Sequence, residues 1–200
     1  MRAGATLGIL TTGSEVATTS FPFPMELAGN GGLAGVTIGY NFRLNDQFVI
    51  GIEADGSFST LDTDPEGIPF LDTADERLES LLTLRARLGI TQGPVMAYGT
   101  LGLAGGNAGY SATVVDFGKG PPVPYAPAEA SAFVTGVVGG VGVEVAVNES
   151  ISLKAEALMY QMSSLHASGD SDTDDPEGGA FDSEYTPSGM VIRTGINFHF

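Results

Sequence analysis

The sequence predicts an all-β fold: an eight-stranded antiparallel up-and-down transmembrane β-barrel, with four long external loops and three short periplasmic turns, in a single domain over residues 1–200. Three observations lead there. Apolar and polar residues alternate with period two in eight segments, as they do in strands that separate two environments. Short and long connections alternate along the chain, the layout of an outer-membrane barrel. One face of the segments is almost purely apolar, and the other carries full charges.

The segments run in order. RAGATLGIL at residues 2–10 and PVMAYGTLGLAG at 94–105 alternate weakly but consistently. In AGVTIGYNFRL, Ala34, Val36, Ile38, Tyr40, Phe42 and Leu44 oppose Gly35, Thr37, Gly39, Asn41 and Arg43. In FVIGIEAD, Phe48, Ile50, Ile52 and Ala54 oppose Val49, Gly51, Glu53 and Asp55. LLTLRARLGI sets Leu82, Leu84, Ala86, Leu88 and Ile90 against Thr83, Arg85, Arg87 and Gly89. FVTGVVGGVGVEV sets Val137, Val141, Val143 and Val145 against Gly136, Gly140, Gly142 and Glu144. ISLKAEALM and MVIRTGINFHF repeat the pattern, with Lys154, Glu156 and Arg193 on their polar faces.

Asn45–Asp46, Gln92–Gly93–Pro94 and Asn148–Glu149 supply turn chemistry for three tight connections. The other four connections, near residues 11–30, 57–77, 105–132 and 162–188, are rich in Gly, Pro, Asp and Ser. Loops of that length are uncommon in a compact soluble domain.

The identity of the faces decides which one is inside. The charged face holds Arg43, Glu53, Asp55, Arg85, Arg87, Glu144, Lys154, Glu156 and Arg193, nearly balanced, in a chain with net charge −16 and only eight Lys+Arg. An enclosed face has reason to balance its charges, because a buried charge is costly unless paired. Gly also suits the narrow interior of eight strands. The apolar face therefore goes against lipid and the charged face inside. A soluble sandwich or small ligand-binding barrel with surface ion pairs is the alternative. Phe42, Phe48, Phe198 and Phe200 then gather at the short-turn end as half of an aromatic girdle, with Phe58 and Phe133 as a sparser upper half.

Composition closes other routes. With no Cys there is neither a disulfide framework nor a thiolate metal site. The acidic balance argues against nucleic-acid binding. The N-terminal MRAGATLGIL does not read as a signal peptide, so an exported chain has already lost its signal.

The segments GVTIGYNFRLNDQFVIGIEAD, LRARLGITQGPVMAYGTLGLAGG, GVGVEVAVNESISLKAEAL and VIRTGINFHF together resemble the small porin-like outer-membrane β-barrel proteins, related in fold to the transmembrane domain of OmpA. The resemblance spans most strands from about residue 33 to 104 and from 133 to 200. It implies location in the outer membrane of a Gram-negative bacterium, contact with membrane lipid and lipopolysaccharide, and a structural, surface-exposed or weakly pore-like role. Terminal Phe200, with Phe198 before it, looks like the signal that such barrels present to the barrel assembly machinery.

The sequence then leaves three functional readings. The first is a non-enzymatic surface protein whose lumen is plugged by ion pairs and whose acidic external loops meet a cell-surface partner. The second is a narrow porin for ions or small solutes. The third is a lipid-modifying enzyme using Ser164 and His166, which stand about 7 Å apart on an extended chain, too far for a direct hydrogen bond. No cofactor is expected beyond calcium or magnesium at the acidic loops. DTDPEG (Asp62, Asp64, Glu66) and DTDDPEG (Asp172, Asp174, Asp175, Glu177) supply carboxylate oxygens for such an ion. Pro65 and Pro176 break the helix-flanked twelve-residue calcium loop, and solvated charge explains the same residues. Four strands separate the two copies, which places them on opposite sides of the barrel mouth.

Overall fold

The computed structural model describes residues 1–18, 21–63, 71–116, 123–169 and 181–200. Eight strands run antiparallel and close on themselves: β1 (Arg2–Thr18), β2 (Phe21–Arg43), β3 (Phe48–Thr63), β5 (Ser80–Gln92), β6 (Val95–Asp116), β7 (Val123–Ala146), β8 (Ile151–Met162) and β11 (Ser188–His199). Each pairs with the next along the chain, and β11 pairs back onto β1 from Arg2↔His199 to Thr12↔Gly189. The ends seal the seam, with Phe200 N–H donating to the Met1 carbonyl at 2.9 Å. Closure leaves no strand edge in the hydrocarbon, where an unpaired backbone group has no water to meet.

Local chemistry sets the short turns. Asn45 Oδ1 accepts from the backbone N–H of Gln47 and Phe48 at 2.9 and 2.8 Å, and Asn148 Oδ1 accepts from Ser150 N–H at 2.9 Å. Each side chain stands in for a backbone acceptor and folds the chain back. Gly93 adopts φ of 59°, a left-handed conformation that a side chain would disfavour.

The alternation becomes a clean inside–outside pattern. In β5, Leu82, Leu84, Leu88 and Ile90 are exposed while Leu81, Thr83, Arg85 and Arg87 are buried. Ile38, Ile52, Leu101, Val141, Leu153 and Ile192 continue the apolar outer surface on other strands. Phe42, Phe48, Phe198 and Phe200 are exposed at the short-turn end, and Tyr40 packs beside Phe42 with ring centroids 4.5 Å apart. Phe58 and Phe133 are exposed toward the opposite end.

Two features differ from the sequence expectation. The alternating segments of the sequence predict strands of about nine to twelve residues, whereas β2, β6 and β7 have 23, 22 and 24 residues. A tilted strand crosses the bilayer in about 9–11 residues, so these ladders continue well past it. Three further strands extend the outer part: β4 (Leu71–Leu78) on β6, and β9 (Leu165–Gly169) on β10 (Phe181–Thr186), which pairs with β1. Much of the sequence read as external loop is therefore paired strand. Pro does not end these ladders. Pro22 and Pro24 lie where the β1–β2 register shifts between Val16 and Thr18, and Pro124 lies beside the shift at Val114/Val115. Bulges tolerate the missing N–H of proline.

The second difference is inside. Above the charged zone an apolar cluster of buried residues includes Leu10, Leu33, Leu81, Val138, Leu158 and Val191. On the short-turn side, Val49, Met96 and Tyr98 form a smaller cluster.

Candidate functional site: the ion-paired lumen

Arg85 and Glu53 stand directly opposite each other across β3 and β5, Glu144 and Lys154 across β7 and β8, and Glu156 and Arg193 across β8 and β11. Opposite charges in register stabilise a strand pair. These pairs face the interior and join into one cluster. Its members are Arg2, Glu53, Asp55, Arg85, Arg87, Glu144, Lys154, Glu156 and Arg193, each 7% exposed or less.

The side chains cross the lumen. Lys154 on β8 reaches Glu53 on β3 at 3.0 Å, between strands on opposite sides of the barrel. Arg85 meets three carboxylates: Glu53 at 2.5 Å, Asp55 at 2.9 Å and Glu156 at 3.3 Å. Arg2 bridges Glu53 and Glu144, the latter at 2.9 Å. Arg87 meets Glu144 at 2.7 Å and lies 3.9 Å over the Tyr98 ring. Arg193 spans from β11 to Asp55 at 2.6 Å and to Glu156 at 2.8 Å.

Neutral groups complete the carboxylates. Thr83 donates to Asp55 at 2.6 Å, Tyr98 to Glu156 at 2.8 Å, and Ser152 and Asn197 to Glu144 at 2.6 and 3.1 Å. Each carboxylate thus has several donors, as burial requires. Below the cluster a cavity of about 290 Å³ opens toward the short turns, bounded by residues including Asn41, Arg43, Thr91, Glu144, Ser152 and His199.

Eight of the nine charges read from the sequence come together. Arg43 does not: it is exposed at the mouth, and Arg2 takes its place in the cluster. Both residues have the parity of an inward position. Arg43 ends its strand, so its side chain has passed the rim, whereas Arg2 lies opposite Gly39 and level with Glu53. The signal for Arg2 was present, since Arg2, Gly4, Thr6 and Gly8 alternate with Ala3, Ala5 and Leu7.

The catalytic arrangement weighed from the sequence is not assembled. Ser164 Oγ lies 3.0 Å from Thr186 Oγ1, and His166 is exposed, paired by register with Glu184. A second Ser/His/Glu set stands at the mouth: Ser152 Oγ is 2.8 Å from His199 Nε2 and 2.6 Å from Glu144, with His199 and Glu144 3.7 Å apart. Here the hydroxyl sits between imidazole and carboxylate. Nucleophilic catalysis needs the imidazole in the middle, as base to the hydroxyl and partner to the acid. Ser152 directs its proton to Glu144 and serves the ion cluster.

Asp62 is placed by its backbone in β3, opposite Asn30. Asp64, Glu66, Asp172, Asp174, Asp175 and Glu177 lie outside the described residues. Among the described residues, no group of three His, Asp or Glu side chains converges as metal ligands do.

Known proteins place this architecture. The chain is 29% identical over 191 residues to the 31 kDa outer-membrane immunogenic protein of Brucella melitensis, covering 88% of this chain and 69% of the relative; the Brucella suis protein of the same name matches equally. The solved structure of OprG from Pseudomonas aeruginosa superimposes with a TM-score of 0.50 at 12% identity, covering 100% of this chain and 96% of OprG. Ail from Yersinia pestis aligns with a TM-score of 0.38 at 15% identity, over 96% and 97% of the two chains. The sequence matches the family described as "Outer membrane protein beta-barrel domain" over residues 1–200, and the chain belongs to that family of outer-membrane β-barrels.

Proposed function

We propose that this chain is a non-enzymatic surface protein of the outer membrane. Its barrel is a closed anchor, and its external segments meet divalent cations, the charged headgroups of lipopolysaccharide and a cell-surface partner. The observation that carries the reading is the cross-lumen charge cluster, with side chains reaching between opposite strands and an apolar layer above it. Eight strands enclose an interior that side chains can fill, and a filled lumen leaves transport without a path. The immunogenic Brucella relatives support surface exposure.

Planar-bilayer recording tests the reading. The wild-type protein is expected to be silent under symmetric salt. Steady openings that disappear when Arg85 and Arg87 are neutralised would establish the narrow porin instead. Lipid hydrolysis lost on His166→Ala would establish the enzyme.

A further inference from the structure

Arg43 has the parity of an inward residue but stands outside the ion cluster, exposed at the mouth. Among the described residues its guanidinium has neither an ion pair nor a hydrogen bond. It borders the cavity of about 290 Å³ at the short-turn end. His199 borders the same cavity from β11, and β1 lies between β11 and the β2 strand of Arg43.

The floor of the cavity is already satisfied. Glu144 accepts from Arg2, Arg87, Ser152 and Asn197. The cavity therefore asks for no cation, and a cation there would stand against Arg43. Ser152, having directed its proton to Glu144, takes the Nε2–H of His199 at 2.8 Å. In the neutral imidazole that leaves Nδ1 as an acceptor, and it has no partner among the described residues. Val49, Pro94, Val95 and Met96 add an apolar wall. One cavity thus offers a free cation, a free acceptor and an apolar surface.

We infer that this mouth binds a carboxylate that carries an adjacent amide N–H and a short aliphatic side chain, entering from the short-turn side. That is the chemistry of a peptide's C-terminal residue and of an N-acylated amino acid. The carboxylate pairs with Arg43, whose planar fork suits two oxygens. The N–H donates to His199 Nδ1, and the side chain packs on Val49 and Met96. Ligand pockets run from about 300 to 1,000 Å³, so this cavity takes a group the size of one residue rather than a polymer. The site lies at the opposite end of the barrel from the external segments and does not depend on what they meet.

N-acetyl-leucine is the probe, with neutral N-acetyl-leucinamide as its control. Both are titrated into the detergent-purified barrel and followed by nuclear magnetic resonance. The acid should give saturable shifts at the side chains of Arg43, His199 and Met96, and the amide should bind at least about tenfold more weakly, having lost a charged hydrogen-bond partner. Arg43→Gln should abolish the preference for the acid and keep the heat-dependent gel shift, because Arg43 holds no part of the cluster. The tripeptide Ala-Ala-Leu separates the two sources. Binding at least as tight as that of N-acetyl-leucine assigns a peptide end, and weaker binding assigns a free acylated amino acid. Equal binding of acid and amide, or a preference for the acid that survives Arg43→Gln, overturns the inference. So do shifts confined to outward methyl groups such as those of Ile52 and Leu101, which report partition into detergent.

Discussion

Glu53 shows how one residue organises the centre. It accepts from Arg2, Arg85 and Lys154, with Arg87 at 3.5 Å. Removing one partner of a buried pair leaves uncompensated charge and costs about 3–5 kcal/mol. Glu53→Gln is therefore expected to lower unfolding stability by roughly that amount, read as a fall in the denaturant midpoint in lipid vesicles. Arg2→Ala should lose a comparable amount. Arg43→Ala should stay within about 0.5 kcal/mol of wild type, as surface substitutions do, because Arg43 is exposed and outside the cluster. Equal losses for Arg2 and Arg43 would contradict the swap between them.

At the scale of the strand, what matters is depth in the membrane. β3 carries Phe48 near the short turns, Ile52 mid-strand and Phe58 toward the outside, all exposed on the outer face. A charged side chain on the lipid face costs about 2–4 kcal/mol near the midplane and about 0–1 near the interface. Ile52→Arg should thus destabilise by the larger amount and Phe58→Arg by the smaller, measured side by side in vesicle unfolding. The same outward parity with unequal depth makes this a test of orientation in the bilayer. β6 adds a packing constraint. A Cβ at Gly102 would stand 2.1 Å from the Leu84 carbonyl oxygen of β5 and 2.6 Å from Arg85 Cα. These are backbone atoms that cannot rotate away. Gly102→Val should abolish the folded, heat-modifiable band on gels, while Leu101→Val, on the open lipid face, should leave it intact.

Charge is segregated over the whole molecule. Apart from the four lumen carboxylates and Asp46 and Glu149 in the short turns, every Asp and Glu lies, by chain position, in the external segments; Arg77 and Lys119 are the Lys and Arg there. Such a concentration repels itself unless counter-ions screen it. Divalent cations are expected to order residues 57–77 and 162–188, and chelation to reverse this, followed by spin labels at the exposed positions Thr60 and Ser163. Equal mobility with calcium and with EDTA would reduce DTDPEG and DTDDPEG to solvating charge. The protein should also require detergent and migrate differently before and after boiling, since a closed barrel resists unfolding by detergent alone. Solubility without detergent would contradict the outward apolar face.

Much of this was legible in the chain itself. Period-two alternation is local, so the sequence determined which residues share a face, and the balanced charges on one face determined which face is inside. Asn45, Gly93 and Asn148 determined the turns through chemistry confined to a few residues. Only the tertiary structure decided depth. Parity cannot distinguish Arg2 from Arg43, because height along the barrel depends on the tilt and stagger of all eight strands together. Nor could local pattern show that Lys154 reaches Glu53 across the lumen, that Leu10, Leu33 and Leu158 meet above the charges, or that the ladders continue where Pro and Gly suggested loops. Partners across a closed barrel are chosen by the closure, and closure is a property of the whole ring of strands.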